Sequence, residues 1–190
     1  MAVLVLAEHD NNELKRATLH AVTAATQLEG DVHLLVAGAN ALSVAETATA
    51  IPGVTKVLHA EDSAYAHGLA ENIAPLLVQL AKGYDYLLAC ATTFGKNVMP
   101  RAAALLDVAQ ISEISGIVSA DTFIRPTYAG NAMATVKSSD LLKAITVRAT
   151  AFDAAAEEGG TATIEAVSGP GDQGLSRFER HELSTSERPE

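Results

Sequence analysis

Residues 84–106 constrain the fold of this chain more than any other stretch. They begin with an unbroken apolar run at 86–91, which is typical of a strand buried on both faces of a sheet. Apolar residues then recur at helical spacing from Val98 to Leu106, and Pro100 fits the first turn of such a helix. A strand that leads through a short turn into a helix N-terminus can present backbone N–H groups to a ligand or a partner.

Small polar residues form the predicted turn of this unit: Thr92, Thr93, Gly95 and Asn97. Backbone N–H groups at such a turn can bind an anion or a nucleotide. The alternative is an ordinary loop in which the Thr and Asn side chains only cap the helix. The residues alone leave both interpretations open.

Three more buried strands are predicted before this unit, at residues 2–7, 32–37 and 54–59. Stretches with helical spacing separate them, at 14–28, at 41–50 and over most of 63–81. Alternating strands and helices predict right-handed crossovers and a parallel sheet. Four such units fit the strand order 3-2-1-4, in which the third and more polar strand is an edge strand.

In this order the loops that follow the first and fourth strands lie side by side, where the strand order reverses. Glu8 begins the loop after the first strand. We therefore expect a candidate crevice for an anion or a nucleotide at Glu8, Thr92, Thr93, Gly95 and Asn97.

The pattern changes after Asp107. Apolar and polar residues alternate at 111–118, 122–128, 132–137 and 144–148, and Gly130-Asn131 is a turn signal. Period-two alternation with tight turns predicts antiparallel strands. The predicted fold class is therefore α/β, a doubly wound and mostly parallel sheet that is extended by antiparallel strands.

This pattern divides the chain into a predicted α/β domain at 1–153 and a predicted linker at 154–190. The domain has a parallel part at 1–107 and an antiparallel extension at 111–150. The linker stretch is rich in glycine and charge, and a short segment at 163–167 is its one candidate strand.

Composition excludes several classes of protein. The chain is 48% apolar but only 4% aromatic, so its core must be aliphatic. A net charge of −10 without a basic block argues against nucleic acid as a partner, because phosphate binding needs clustered Lys and Arg. No apolar span of membrane length occurs, so no membrane insertion is expected. The single cysteine, Cys90, lies in an apolar strand and is expected to be an inert thiol in a reducing compartment.

The chain shows no catalytic equipment. No glycine-rich dinucleotide fingerprint and no phosphate loop follow the first strand, and the six histidines lack metal-ligand spacing. No pair of carboxylates is placed for acid–base chemistry. We therefore predict no catalytic residue and no metal site, and a scaffold or binding domain rather than an enzyme.

Five segments carry a resemblance to a known family. In chain order they are AVLVLAEHDN, ATTFGKNVMPRAAALLDVAQISEI, DTFIRPTYAGNAMATVKS, TVRATAFDAA and SERPE. Together they span nearly the whole chain, and they resemble the N-terminal domain of the α subunit of electron transfer flavoprotein.

This resemblance implies a Rossmann-like fold of the adenine nucleotide α-hydrolase type that packs against a β subunit. It implies a heterodimeric carrier that takes electrons from dehydrogenases, such as the acyl-CoA dehydrogenases of fatty acid β-oxidation, and passes them to a quinone oxidoreductase. In the family the FAD-binding domain follows the SERPE segment, so FAD is expected to bind mainly outside this chain and none in these 190 residues. The expected location is the bacterial cytoplasm or the mitochondrial matrix.

The predicted partner interface lies in the alternating region. Its expected contacts are Arg125, Tyr128, Asn131 and Met133, since Arg and Tyr are enriched at interface hot spots. The competing interpretation is that these strands bury both of their faces within one domain.

Two other functions remain as alternatives. A free-standing adenine-nucleotide-binding protein of the stress-protein type would need open N–H donors in the turn at Thr92. An enzyme that activates substrates with ATP would need a phosphate loop after the first strand, where Glu8 and Asp10 instead place two carboxylates that repel phosphate.

Overall fold

Ten strands form two separate sheets in the computed structural model, which describes residues 1–182. In chain order the strands are β1 (Ala2–Leu6), β2 (Asp31–Gly38), β3 (Val54–Glu61), β4 (Tyr86–Cys90), β5 (Gln110–Ile114), β6 (Gly116–Ser119), β7 (Thr122–Thr127), β8 (Ala132–Lys137), β9 (Lys143–Val147) and β10 (Thr163–Ala166). The α-helices of this part of the chain are α1 (Arg16–Thr26), α2 (Leu42–Ala48), α3 (Ala70–Leu80) and α4 (Thr93–Leu105).

The larger sheet has seven strands in the order β10-β3-β2-β1-β4-β9-β5, and every neighbouring pair is parallel. The predicted order 3-2-1-4 is confirmed as its centre. Residues of β1 such as Val3 and Leu4 are fully buried, because helices or strands cover both faces of the sheet.

Each face of the large sheet has its own hydrophobic core. Helices α1 and α2 cover one face together with the second sheet, whose Phe123 is fully buried there. Helices α3 and α4 cover the other face. Both cores consist mainly of Ala, Val, Leu and Ile, as the low aromatic content predicts.

The predicted antiparallel extension at 111–150 is only partly correct. Strands β5 and β9 belong to the parallel sheet, where β9 lies between β4 and β5. Only β6, β7 and β8 are antiparallel, and they form a sheet of their own. Period-two alternation indicates a half-buried strand but carries no information on strand direction, so the pattern could not separate these two groups.

The prediction that the third strand lies at the edge of the sheet is wrong. Strand β10 pairs with β3 in parallel, and Lys56 of β3 forms an ion pair with Glu165 of β10 at 2.7 Å. Polar residues of β3 such as Lys56 therefore contact the exposed side chains of β10, and β3 is not an open edge.

The stretch predicted as a linker is in part bound to the domain. The Gly160 amide donates to the Ala50 carbonyl at 2.7 Å, and a Cβ at Gly160 would lie 2.4 Å from the Ile51 carbonyl oxygen. Further along, the Gln173 amide donates to Asn72 Oδ1 at 3.0 Å. The division of the chain at residue 153 stays a prediction, and residues 183–190 of the predicted linker lie outside the described residues.

Helix α4 begins earlier than predicted. Thr92 is its N-cap, so Gly95 and Asn97 lie inside the helix rather than in a turn, and Pro100 lies in its interior rather than in its first turn. The Thr92 hydroxyl satisfies an amide of the first turn, and this cap fixes the helix start upstream of the proline.

None of the described helices is both long enough and apolar enough to span a bilayer.

Candidate functional site

A cavity of about 450 Å³ opens at the carboxyl ends of β1, β2 and β3. Its lining comes from the loop after β1, the end of β2, the segment after β3, the first turn of α4 and the C-terminal segment: Ala7, Glu8, His9, Asp10, Asn11, Ala37, Tyr65, Ala66, His67, Gly68, Phe94 and His181. Of the five predicted crevice residues, only Glu8 lines it. The position agrees with the general rule that open α/β sheets place their crevice beyond the carboxyl ends of the strands.

The loops after β1 and β4 are held together next to this cavity, as the strand order predicts. The Thr92 hydroxyl donates to Glu8 Oε2 at 2.6 Å and accepts from the Gly95 amide at 3.2 Å. The Glu8 amide in turn donates to Thr18 Oγ1 at 2.9 Å. Thr93 and Asn97 are exposed and lie away from the cavity lining.

Gly95 has a steric role in this arrangement. A Cβ at this position would lie 1.9 Å from the carbonyl oxygen of Cys90, and Cys90 is the last residue of β4. Only glycine lets the first turn of α4 approach the end of the strand so closely. Gly95 is therefore explained by the packing of α4 against β4. Its geometry gives no support to the interpretation of this turn as an anion-binding site.

The charge around the cavity is unfavourable for phosphate. Glu8 and Asp10 line it, and no Lys or Arg does so within the described residues. The nearby Lys15 forms an ion pair with Asp10, and its hydrogen bond holds the pKa of that carboxyl well below the usual range. Burial lowers the pKa of His9, which disfavours the charged form of this imidazole.

The C-terminal segment contacts the residues that line the cavity, and His181 is part of the lining. The Phe178 ring stacks on the His67 imidazole with centroids 3.8 Å apart, and the His181 ring is tilted to Phe178 with centroids 4.7 Å apart. The Gly171 amide donates to the Tyr65 hydroxyl at 3.3 Å. Sequence reasoning missed this contact, and an isolated aromatic residue in a charged segment was the only signal for it.

A second candidate region is the outer face of the three-stranded sheet, which we define as the side facing away from the large sheet. Phe123 is paired with Val136 and packs inward. Side chains alternate between the two faces of the sheet, so the pairs Ile124–Thr135 and Pro126–Met133 of β7 and β8 face outward. Met133 is 58% exposed.

The hairpin between β7 and β8 extends this apolar surface. Tyr128 is 84% exposed. Tyr128 and Ala129 both have left-handed backbone conformations, with φ of 49° and 54°, and Asn131 beside them is exposed. Two consecutive non-glycine residues in this region are uncommon, and such strain concentrates at functional sites.

Three of the four predicted interface residues lie together on this exposed side: Tyr128, Asn131 and Met133. Arg125 does not, because it pairs with Ala134 on the same side as Phe123 and is half-buried. Its Nε atom is buried and has no hydrogen-bond partner among the described residues. The hydrogen bond from Lys96 lowers the pKa of Glu113, and the charges of Arg148 and Arg125 lower it further.

No cluster of three or more His, Cys, Asp or Glu side chains in residues 1–182 is arranged to hold a metal ion. Cys90 is buried, and burial raises the pKa of its thiol.

Comparison with known proteins gives consistent results. A family model described as "Electron transfer flavoprotein domain" matches residues 3–170. The chain is 60% identical over 190 residues to the electron transfer flavoprotein subunit alpha of Pseudomonas aeruginosa, which it covers to 62%. It is 51% identical over 190 residues to the same subunit of Paracoccus denitrificans, covered to 61%. All of this chain is aligned in both comparisons.

A mitochondrial relative is also similar. The electron transfer flavoprotein subunit alpha of Dictyostelium discoideum is 42% identical over 203 residues, which cover 98% of this chain and 57% of the relative. The chain thus spans about three fifths of the length of the curated relatives it matches. It belongs to the electron transfer flavoprotein family and corresponds to the N-terminal part of the α-subunit members.

Proposed function

We propose that this chain is the N-terminal domain of an electron transfer flavoprotein α subunit and that it serves as the scaffold that binds the β subunit. The observation that carries the proposal is the outer face of the three-stranded sheet with its hairpin, where Met133 and Tyr128 are exposed beside the polar side chains of Thr135 and Lys137. An exposed apolar patch of this kind usually marks an association surface.

The outer face has a rigid support. Phe123 anchors the small sheet in the core shared with α1 and α2, and the Tyr86 hydroxyl donates to the Ala120 carbonyl at 2.8 Å. A surface that is fixed before binding loses little conformational entropy on association. Tyr128 and Met133 are the proposed anchors, with Asn131 as a hydrogen-bonding neighbour and Arg125 beneath them.

In this proposal the heterodimer takes electrons from dehydrogenases such as acyl-CoA dehydrogenases and passes them to a quinone oxidoreductase. Its FAD, when bound, supplies the redox chemistry. The residues of this chain are a poor fit for the FAD diphosphate, because carboxylates of Glu8 and Asp10 line the crevice and the nearby Lys15 is paired. The role of the chain is therefore to position the partner rather than to hold the flavin or to catalyse a reaction. The proposed location is the bacterial cytoplasm or the mitochondrial matrix.

Sedimentation of the 190-residue chain with a β subunit tests this proposal. We expect a heterodimer to form, and we expect the chain purified alone to show no visible flavin absorbance. Failure to form any complex, or one tightly bound flavin per isolated chain, would contradict it.

A second candidate function is adenine-nucleotide binding by the chain alone. The cavity itself favours it, because the Phe94 ring and the His9 imidazole line it and offer surfaces for a base. The acidic lining disfavours the phosphates. A thermal shift with AMP and ATP separates the two functions: a ligand at 100 times its dissociation constant should add about 2.7 kcal/mol to the free energy of unfolding. We expect no specific stabilisation by either nucleotide.

A further inference from the structure

A separate cavity of about 250 Å³ lies between the two sheets. Residues of β5, β7 and β8 line it, among them Gln110, Ile111, Arg125 and Val136. The volume is several times the roughly 30 Å³ that one water molecule occupies in the liquid. The cavity therefore has room for a small organic molecule.

Arg125 is a half-buried cation of this cavity without a counter-ion. None of the ion pairs in the described part of the chain involves it, and its Nε atom is buried without a hydrogen-bond partner there. The other cation of the lining, Lys137, is paired with Asp121 at 3.1 Å. The charge of Arg125 acts on Glu113, but Lys96 holds that carboxylate in an ion pair. A half-buried guanidinium that lacks an acceptor is unfavourable, so its surroundings call for an anion.

Gln110 gives an independent indication at the same cavity. Its Oε1 atom is also buried without a partner among the described residues, although its Nε2 donates to Ser112 Oγ at 2.8 Å. A half-turn of the amide lets the Ser112 hydroxyl donate to Oε1 and places N–H groups where the unpartnered oxygen lies. An N–H group at that position has the same need as Arg125, which is a hydrogen-bond acceptor.

The lining selects the kind of anion. Ile111 and Val136 provide apolar walls. Asp140 also lines the cavity, where its Oδ2 accepts from the Ala109 amide at 2.8 Å, and a carboxylate there disfavours a multiply charged anion such as phosphate. A monocarboxylate with a short aliphatic body fits both features. Its two oxygens accept from the forked guanidinium, and its body contacts the walls.

We propose that this cavity binds an aliphatic carboxylate, with Arg125 as its cation and Gln110 as a hydrogen-bonding neighbour. The carboxylate belongs either to a free short-chain acid or to an acidic side chain of the β subunit, and the chemistry of recognition is the same for both. Arg125 lies on the face of the small sheet opposite to Met133, so the site is separate from the proposed anchors of the outer face.

Titration of the 190-residue chain with sodium butyrate tests the site, with NMR detection of the side-chain N–H signals of Arg125 and Gln110. Butyramide, which has a similar shape but no charge, is the matched control ligand, and sodium chloride keeps the ionic strength constant. We expect saturable shifts of both signals with butyrate below about 100 mM, since one partly solvated ion pair gives weak affinity. Equal shifts with butyramide, or no saturable shift with butyrate, would overturn the proposal.

Three variants that each lower the net charge by one locate the site. Arg125→Gln should weaken butyrate binding at least about tenfold, because the forked charge-assisted contact is lost. Arg148→Gln is the matched control, since Arg148 is exposed and lies outside the cavity lining, and its affinity should stay within about twofold of the parent. Gln110→Glu places a carboxylate in the cavity and should also weaken binding about tenfold. The Gln110 variant decides the matter if Arg125→Gln does not fold. An affinity equal to that of the Arg148 variant would overturn the proposal.

The same titration of the heterodimer with a β subunit separates the two sources of the carboxylate. If the β subunit supplies it, the Arg125 signal is already shifted in the heterodimer and butyrate no longer binds. If the ligand is a free acid, butyrate binds the heterodimer as it binds the chain alone. This arm rests on the proposed function, whereas titration of the chain alone does not. A chain that binds butyrate but forms no heterodimer would contradict the proposed function and support the site.

Discussion

At the scale of single residues, the start of α4 needs a hydroxyl group at position 92 and a glycine at position 95. Thr92 caps α4 and binds Glu8, and Gly95 allows the helix to touch the end of β4. The residues that looked like a ligand-binding turn therefore hold two loops of the scaffold in place.

Substitution of Gly95 tests this steric role. Gly95→Ala places a Cβ against the Cys90 carbonyl, which is backbone and cannot rotate away, so we expect a loss of about 1–3 kcal/mol in the free energy of unfolding. Gly83→Ala is the matched control, because no atom lies within 4 Å of its added Cβ and its φ is not left-handed. Chemical denaturation of both variants measures this loss. An equal free energy of unfolding for the Gly95→Ala and Gly83→Ala variants would contradict the packing role of Gly95.

A second residue-scale prediction concerns acid stability. Hydrogen bonds from Thr122, Lys137 and Ser119 lower the pKa of Asp121 to about 2. Because the folded pKa lies below the unfolded value, this carboxylate contributes stability above pH 4 or so, which is lost as the pH falls towards about 2. Asp121→Asn should flatten that part of the acid unfolding curve. A variant whose stability falls with acid as steeply as that of the parent would argue against the shift.

At the scale of elements, strand β10 decides how far the domain extends. A chain that ends at residue 159 lacks β10 together with the Lys56–Glu165 ion pair and the Gly160 hydrogen bond. We expect it to melt cooperatively but with about 2–4 kcal/mol less stability, since a few backbone hydrogen bonds contribute about 0.5–1.5 kcal/mol each.

The control for this truncation is a chain that ends at residue 176, which keeps β10. It should melt close to the parent. If both truncated chains melt at the same temperature, the strand adds nothing to the domain.

The elements also show where sequence reasoning succeeds. Strands β1, β2 and β4 were predictable because each is a mainly apolar run, and the more polar β3 because it lies between two helical patterns. Their order follows from the alternation of strands and helices. The contact between the loops of Glu8 and Thr92 follows from that order alone.

Other features left no local signal. Strand β10 was not predicted as part of the sheet because all four of its side chains are exposed and so carry no burial pattern. The inward position of Arg125 depends on the strand register, which the hydrophobic pattern sets only through Phe123. The stacking of Phe178 on His67 joins residues far apart in the chain, and no periodicity encodes such a contact.

At the scale of the whole molecule, the chain combines an acidic crevice with an exposed sheet face. His181 of the C-terminal segment and the carboxylates of Glu8 and Asp10 line the cavity, and Phe178 stacks on His67 of the lining. The outer face of the small sheet and its hairpin expose Met133 and Tyr128, and Phe123 anchors this sheet in the core. This contrast favours a domain that binds a protein partner over one that binds a nucleotide.

Calorimetric titration of the chain with a β subunit tests the central claim most directly. Tyr128→Ala should weaken the affinity at least about tenfold, which corresponds to about 1.4 kcal/mol, because the substitution removes the most exposed aromatic anchor of the outer face. Leu42→Ala is the matched control, since this leucine is 50% exposed on α2, away from the small sheet. The account predicts unchanged affinity for the Leu42 variant and a tenfold or greater loss for the Tyr128 variant. Equal affinities of the two variants would contradict it.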